Sequence, residues 1–441
     1  MKKAVKKAAT TKKKLVKIKT SKVKKPIKKP VKAVKAKKVI KAKSEQFIYV
    51  PYGKAVWGEA EKKAVMHVLN TSTQMGVHVR EMESKVATLF DKKYGIMVNS
   101  GSSANYLAIE ILDLPKGSEV ITPVLTFSTT VAPLVRNGLI PAFVDVDIDT
   151  FNIDVDKIEA MITPKTKAMM IPNLLGNLPD WRKIRKLADK YKLILIEDSA
   201  DTLGATIDGK SAGRFVDMST TSFYGSHVVT AGGNGGMVCI NSQQLADRAK
   251  LLRSWGRSSS LFVESEAIEN RFNVEVEGMR YDAKFIFEAL GYNIEPNEMG
   301  AAFGLVQLKN LQKNIATREK WFDKQMAFFK KYEQWFILPK QLKGSRTGWL
   351  AFPMIVRDDA PFTRTELQIF LEKRNIQTRT VFTGNILRQP GFKNIECKKV
   401  TEYPSADRVM RGGILLACHH GLSTEMLKHV HDSCKLFFKQ F

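Results

Sequence analysis

Four short segments of this chain carry residue types that can do chemistry, and each of them follows an apolar run typical of a strand. The first is 99–104, Asn-Ser-Gly-Ser-Ser-Ala, which precedes a helical pattern. Small residues there leave backbone N–H groups exposed at the N-terminus of a helix, and such a site binds phosphate. The alternative is a plain tight turn with a serine cap.

The second and third segments offer an acid and an aromatic ring. Glu197 and Asp198 end the apolar run 193–196, and a carboxylate in this place can pair with a protonated ring nitrogen and keep it charged. A strand-end acid that caps a turn is the alternative. Phe127 follows the run 119–123 and can stack on a planar ring, although an aromatic residue there is also typical of a core.

The fourth segment carries an imidazole. His227 follows the run 219–224 and precedes the glycine-rich turn 232–236. The pKa of histidine lies near neutrality, so the side chain can take and return protons at physiological pH. A structural histidine beside an ordinary glycine loop is the alternative.

No cysteine or acidic cluster has the spacing of a metal site. Asp145, Asp147 and Asp149 alternate like the start of a calcium loop, but Thr150 stands where that loop needs glycine and Asp156 where it needs glutamate. The cysteines lie far apart and form no Cys-x-x-Cys pair: Cys239, Cys397, Cys418 and Cys434. We therefore expect no bound metal, and so few cysteines suit a reducing cytoplasm.

An alternation of strand and helix patterns positions these segments. The predicted strands are 95–99, 119–123, 141–147, 167–173, 193–198, 219–224 and 236–241. The predicted helices of the same region are 102–112, 126–137, 180–191 and 243–254. Apolar strands separated by helices predict an α/β domain with a mostly parallel seven-stranded sheet, in which ligands bind at the carboxyl ends of the strands.

Changes in composition divide the chain into a Lys-rich tail at 1–44, a large domain at 45–314 and a smaller C-terminal α+β domain at 315–441. The small domain opens with a predicted helix at 315–332, and a capping box at 363–366 precedes another helix at 366–374. A membrane span needs about 18 or more consecutive apolar residues, and the sequence has no such run. It also lacks the apolar stretch of a secretory signal, so we expect a cytoplasmic protein.

The tail holds 20 lysines and no acidic residue, so the formal charge of +27 for the chain leaves +7 for the remainder. Its lack of aromatic residues and its like charges predict a disordered segment, because it cannot bury enough apolar surface. The lysines favour non-specific binding of nucleic acid or another polyanion through counterion release. A solvated extension without a partner is the alternative.

In this order, the segments of the body resemble those of the DegT/StrS family of nucleotide-sugar aminotransferases, from about Tyr49 to the C-terminus. The resemblance is carried by 99–104, 137–141, 143–147, 197–198, 222–224 and 291–293. It implies the type I fold of enzymes that depend on pyridoxal phosphate (PLP), and a homodimer with shared active sites.

The resemblance also implies roles for individual residues. Gly101, Ser102 and Ser222 would hold the phosphate of the cofactor. Asp198 would pair with the pyridine nitrogen, and Phe127 would stack on the ring.

Two more positions match the family at the edge of the cofactor. Asp201 falls where the aminotransferases usually have a glutamine near the 3-hydroxyl of the ring. Asn293 would reach across the dimer to the phosphate of the partner's cofactor.

His227 is the main departure from the aminotransferases of the family, which have a lysine five residues after the serine that corresponds to Ser222. An imidazole cannot make the covalent link to the cofactor, so PLP or pyridoxamine phosphate (PMP) would be bound non-covalently. The replacement is similar to that in one branch of the family, the 3-dehydratases of 4-keto-6-deoxy nucleotide-sugars. That branch implies a lyase for deoxysugar and surface-polysaccharide biosynthesis, with L-glutamate as amino donor and His227 as base.

One sort of these dehydratases carries a [2Fe–2S] cluster on cysteines, and the corresponding positions here are Ser199 and 258–260, Ser-Ser-Ser, so we expect no cluster. A second departure is the turn 230–236, which is one residue longer than in the family and lacks its glutamate. Three functions stay open: a 3-dehydratase, a nucleotide-sugar aminotransferase or other PMP-dependent sugar-modifying enzyme, and a non-catalytic scaffold whose tail binds a polyanion.

Overall fold

All seven predicted strands are present and form one sheet in the computed structural model, which describes residues 47–441. The predictions for the tail at 1–44 fall outside the described residues. The strands of the described chain are β1 (Tyr94–Val98), β2 (Glu119–Pro123), β3 (Ile140–Val144), β4 (Thr166–Pro172), β5 (Ile194–Ser199), β6 (Thr206–Ile207), β7 (Lys210–Ser211), β8 (Met218–Ser222), β9 (Gly236–Ile240), β10 (Val274–Val276), β11 (Met279–Tyr281), β12 (Phe336–Ile337), β13 (Ser345–Arg346), β14 (Phe352–Val356) and β15 (Gly413–Leu416).

Helices cover both faces of the large sheet and build much of the C-terminal part. They are α1 (Glu59–Thr71), α2 (Val77–Leu89), α3 (Gly101–Glu110), α4 (Ser128–Arg136), α5 (Trp181–Tyr191), α6 (Gln243–Arg253), α7 (Ile268–Phe272), α8 (Glu298–Lys309), α9 (Leu311–Phe329), α10 (Arg364–Glu372), α11 (Pro404–Gly412) and α12 (Thr424–Phe438). Within the described range, none of them combines the length and apolar composition that crossing a bilayer would require.

The large sheet follows the order β1-β9-β8-β5-β4-β2-β3. β8, β5, β4, β2 and β3 pair in parallel, whereas β9 runs antiparallel between β1 and β8. The predicted mostly parallel sheet is therefore confirmed. Because parallel strands end at the same edge of a sheet, the segments that follow β2, β4, β5 and β8 meet there.

The acidic residues after β3 cap other elements instead of extending the strand. The Asp145 carboxylate accepts hydrogen bonds from the backbone N–H groups of Ser405 (3.1 Å) and Ala406 (3.0 Å), at the start of α11. The Asp147 carboxylate accepts from the N–H of Thr150 at 3.1 Å and so closes a turn. A helix N-terminus and a turn both favour such acceptors, which explains why β3 ends at Val144 and not at the predicted 147.

The C-terminal part is built on the antiparallel sheet β12-β14-β15. The predicted capping box is present: the Thr363 hydroxyl accepts from the Glu366 N–H at 3.2 Å, and the Glu366 carboxylate accepts from the Thr363 N–H at 2.7 Å. Helix α9 begins at Leu311 and connects two cores, since Leu311 packs with α2 and β9 residues while Phe329 packs with the C-terminal sheet. The domain boundary at 314/315 stays a prediction.

Candidate active site

A cavity of about 520 Å³ opens at the carboxyl ends of β4, β5 and β8. Seven of the eight residues singled out in the sequence line it: Gly101, Ser102, Phe127, Asp198, Asp201, Ser222 and His227. Asn293 does not line this cavity; it is exposed and pairs through its backbone with Ser254. Segments that are far apart in the chain therefore converge at the sheet edge that the strand pattern indicates.

The first turn of α3 forms one wall of the cavity. Ser100 caps this helix, because its side-chain oxygen accepts from the N–H of Ser103 at 3.1 Å. The N–H groups of Gly101 and Ser102 make no hydrogen bond to any other described residue. An added Cβ at Gly101 would lie 2.5 Å from the Cβ of Ser222, so only glycine lets the helix approach the end of β8 this closely. Free N–H groups at a helix N-terminus beside a serine hydroxyl suit a phosphate.

Asp198 lies at the floor of the cavity and is only 5% exposed. Its Oδ2 accepts from Asn105 Nδ2 at 2.7 Å and from the Thr130 hydroxyl at 2.9 Å. Its Oδ1 accepts from the N–H of Ala200 at 3.2 Å. Burial raises the pKa of Asp198, and these three hydrogen bonds oppose that rise. The result is a fixed carboxyl group whose stable ionisation calls for a cationic partner in the cavity.

The sequence pattern alone does not single out Asn105 and Thr130. Asn105 lies one turn after Gly101, on a stretch of α3 whose buried neighbours include Ala104 and Ala108. Thr130 lies one turn after Thr126, from whose hydroxyl its own oxygen accepts at 2.9 Å. The usable signal is a polar residue on the apolar face of a helix, because such a residue must find a buried partner.

His227 is oriented by the backbone of β8. Its Nδ1 lies 3.1 Å from the Ser222 carbonyl oxygen, which can only accept, so Nδ1 carries the hydrogen and Nε2 keeps its lone pair. Burial lowers the pKa of His227 to about 4, an effect that the Ser222 carbonyl opposes and the charge of Arg318 reinforces. The imidazole is therefore neutral at pH 7 and can accept a proton at Nε2. Tyr224 flanks the ring edge-on, at 6.0 Å between centroids.

Asp201 is the second carboxyl group of the cavity. Its Oδ2 accepts from the N–H of Leu175 at 2.8 Å. Burial, together with the nearby Asp198, raises the pKa of Asp201 to about 7, against the effects of the Leu175 hydrogen bond and of Arg318. This carboxyl group changes its protonation in the physiological range.

Replacing Asp201 with Asn should change how stability depends on pH. The folded state holds a proton on Asp201 between about pH 4 and pH 7 that the unfolded chain has released, so this residue lowers stability as pH rises through that window. The asparagine variant has no such carboxyl group. Its free energy of unfolding should therefore rise relative to that of the parent by on the order of 2 kcal/mol between pH 4.5 and pH 7.5. Urea unfolding of the apo-protein at several pH values measures the difference.

The exposed Asp156 provides the control, because Asp156→Asn removes a carboxyl group that lies at the surface and contacts Lys183 at 3.4 Å. An Asp201→Asn curve that stays parallel to the parent curve would contradict the assigned titration. His227 has the opposite effect on the parent protein, since its lowered pKa makes stability fall as pH decreases from about 6.5 to 4. Only a difference between variants therefore isolates Asp201.

Comparison with known proteins places this geometry in a family. The DegT/DnrJ/EryC1/StrS aminotransferase family matches residues 56–435. The lipopolysaccharide biosynthesis protein RfbH of Salmonella typhimurium is 36% identical over 399 residues, which are 88% of this chain and 91% of RfbH. The GDP-4-keto-6-deoxy-D-mannose 3-dehydratase of Escherichia coli O55:H7 is 32% identical over 386 residues, which are 84% of this chain and 96% of that enzyme.

A solved structure extends the likeness to three dimensions. The crystal structure of GDP-4-keto-6-deoxymannose-3-dehydratase with a trapped PLP-glutamate geminal diamine matches with a TM-score of 0.78 at 29% identity, over 87% of this chain and 99% of that one. The predicted PLP-dependent aminotransferase fold is therefore confirmed. The family match contains all eight residues that the sequence singled out. This chain belongs to the DegT/DnrJ/EryC1/StrS aminotransferase family.

Proposed function

We propose that this chain is a PLP/PMP-dependent 3-dehydratase that removes the C3 hydroxyl group from a nucleotide-linked 4-keto-6-deoxyhexose, for deoxysugar and surface-polysaccharide biosynthesis. The observation that carries the proposal is His227, which stands in the cavity where the aminotransferases of the family have lysine. No lysine is among the described residues that line the cavity. The similar E. coli 3-dehydratase and RfbH, named for lipopolysaccharide biosynthesis, support the same reaction class and pathway.

The cavity residues fit a non-covalent PLP or PMP. The free N–H groups of Gly101 and Ser102, with the Ser222 hydroxyl, hold the phosphate. Asp198 would pair with the pyridine nitrogen, which would give the buried carboxylate its cationic partner. Phe127 packs against the ring; its side chain is 51% exposed, and that exposed surface lies at the cavity.

When bound as PMP, the cofactor supplies an amine that joins the C4 carbonyl of the sugar and a conjugated ring that carries electrons toward C3 as the hydroxyl group leaves. With the cofactor bound, His227 would act as the base that accepts the C4′ proton at Nε2, the one ring nitrogen with a lone pair. Asp198 would hold the proton on the pyridine nitrogen. Asp201 would lie near the 3-hydroxyl of the bound ring, and its pKa of about 7 would make a hydrogen bond to that hydroxyl depend on pH.

L-Glutamate regenerates the amine form, as the PLP-glutamate adduct in the similar dehydratase suggests. The active unit is a cytoplasmic homodimer in which Asn293 reaches the phosphate of the partner's cofactor. Large apolar side chains are exposed just before Asn293, as expected of a surface that another subunit covers: Phe285, Phe287, Leu290 and Tyr292.

Mass spectrometry of the products tests the proposal directly. The protein is mixed with PLP, L-glutamate and a panel of 4-keto-6-deoxy nucleotide-hexoses. A product that lacks one oxygen atom, with one ammonia and one 2-oxoglutarate formed per turnover, establishes the dehydratase. A product with an added amino group and no ammonia makes the chain an aminotransferase that works without the usual lysine. Bound PLP without any sugar or glutamate turnover favours the scaffold.

The tail gives the chain a second candidate function, the binding of a polyanion, which its 20 lysines and absence of acidic residues favour. Deleting 1–44 should abolish binding of a random-sequence DNA duplex while kcat changes by less than about twofold, because the cavity residues all lie in the body. Fluorescence anisotropy at several salt concentrations measures the binding. If the deletion variant binds the duplex with the same affinity as the parent, the residues that bind the polyanion lie in the body and not in the tail.

A further inference from the structure

Arg318 of α9 is a buried cation without a carboxylate partner. Its side chain is 0% exposed, and no ion pair to it is present within the described residues. It is held instead by neutral acceptors: Nη1 donates to the carbonyl oxygens of Trp349 (3.0 Å) and Leu350 (3.2 Å), and Nε donates to Nδ1 of His420 at 3.2 Å. Burial lowers the pKa of Arg318 to about 10, so the guanidinium stays charged at pH 7.

The remaining branch of the guanidinium reaches the loop that carries His227. Arg318 Nη2 donates to the carbonyl oxygen of Ser226 at 3.0 Å, and this carbonyl belongs to the peptide bond that leads into His227. On the other side, an added Cβ at Gly53 would lie 2.7 Å from the Cβ of Ser226, so the backbone at Gly53 packs closely against Ser226. The residue before the proposed base is thus held between Arg318 and Gly53.

The same guanidinium fixes the opposite wall of the cavity. Leu350 lines the cavity, and its N–H donates to the Leu175 carbonyl at 2.8 Å. The Leu175 N–H in turn holds Asp201. Arg318 therefore sets the distance between two walls that come from remote parts of the chain, and its planar fork of N–H donors suits that task better than an ammonium group.

Stability alone does not explain such a residue. An uncompensated buried charge is expensive, and a well-packed apolar side chain in its place is often neutral or stabilising. The charge also acts on the site, because it disfavours a second positive charge on His227. The other ionisable groups that line the cavity with His227 come from several elements: Tyr52, Asp198, Asp201 and Tyr224. Arg318 does not line the cavity, but its charge lowers the pKa of His227.

We infer that Arg318 is a positioning residue for His227, which holds the Ser226–His227 peptide and the Leu350 wall at the separation that proton transfer needs. The inference rests on the proposed function, since that function makes His227 the base. It adds a residue from α9 that is fully buried and does not line the cavity.

Two variants separate geometry from charge. Arg318→Lys keeps the charge but cannot hold both walls, so we expect kcat to fall about 10-fold with an unchanged pKa of His227. Arg318→Gln removes both the charge and the contacts with the two walls, so kcat should fall about 100-fold and the pKa of His227 should rise. The KM for the nucleotide-sugar and the affinity for PLP should change by less than about threefold in either variant, because Arg318 does not line the cavity.

Arg408→Gln is the matched control. Arg408 is another largely buried arginine beside β14, where its Nη2 donates to the Val356 carbonyl at 3.1 Å, and it does not line the cavity. NMR of protein with ¹⁵N-labelled histidine, with the His227 signal assigned by its absence in His227→Asn, gives the titration. Unchanged kcat and an unchanged His227 titration in both Arg318 variants, as in the control, would overturn the inference.

The NMR measurement needs no substrate, so it stands even if no sugar is dehydrated and the proposed function fails. If Arg318→Gln does not fold, the kcat of the conservative Arg318→Lys variant still tests the inference: a fall supports it and an unchanged value contradicts it. A fall in kcat that is matched by equal losses in PLP affinity and sugar KM would point to general loss of structure and would also overturn the inference.

Discussion

Replacing His227 with Asn should lower kcat for dehydration by about 10³-fold or more, while the affinity for PLP changes by less than about threefold. The asparagine side chain can occupy the same place in the loop, but its amide has no nitrogen that accepts a proton at pH 7. The phosphate site on α3 and the Asp198 carboxyl group lie on other elements, so cofactor binding has no reason to fail. Product mass spectrometry and PLP titration by absorbance measure the two quantities.

His431→Asn is the control, since His431 is another partly buried histidine but stacks on Phe328 in the C-terminal part, away from the cavity. It should retain the activity of the parent. Turnover that survives in His227→Asn would remove His227 from the role of base. Loss of PLP together with activity would instead make the residue structural.

Replacing Asp198 with Asn should reduce kcat by about 10²–10³-fold and weaken PLP binding, because an amide cannot hold a proton on the pyridine nitrogen. Asn105 and Thr130 can still donate to the amide oxygen, so the side chain keeps its place. Burial raises the pKa of Asp198, which means that its charge costs stability above its ordinary pKa. The variant apo-protein should therefore be as stable as the parent at pH 7, or more so.

Glu197→Gln gives a matched control for this second variant. Glu197 is equally buried on the same strand but serves a separate network, in which its carboxylate accepts from Ser219 (2.6 Å) and Asn173 (2.8 Å). Burial raises the pKa of Glu197 as well, so its replacement should share the effect on stability and keep the spectrum of bound PLP. Full activity in Asp198→Asn, or thermal unfolding well below the parent, would contradict the role proposed for this carboxylate.

The fold class followed from sequence because the signals that decide it are local. Apolar runs alternate with helical patterns from β1 to β9, and each run became a strand of the large sheet. The antiparallel direction of β9 follows from the glycine-rich turn after His227, which leads the chain back beside β8. At the start of β9, an added Cβ at Gly236 would meet the Ser100 carbonyl at 2.3 Å. Element ends shifted where a side chain from elsewhere took over a cap, as at Asp145.

By itself, the sequence determined the residues that meet at the strand ends, because a parallel sheet brings those ends to one edge whatever the loops do. The segment 99–104, Asp198 and His227 could therefore be named from the strand pattern, and the resemblance to the DegT/StrS family added Ser222. Tertiary structure alone decided what surrounds them: Asn105 and Thr130 bind Asp198, and Arg318 approaches His227 from a helix about ninety residues further along the chain. Such contacts depend on how helices pack on the sheet, and packing between remote segments leaves no periodic trace in the residues that make it.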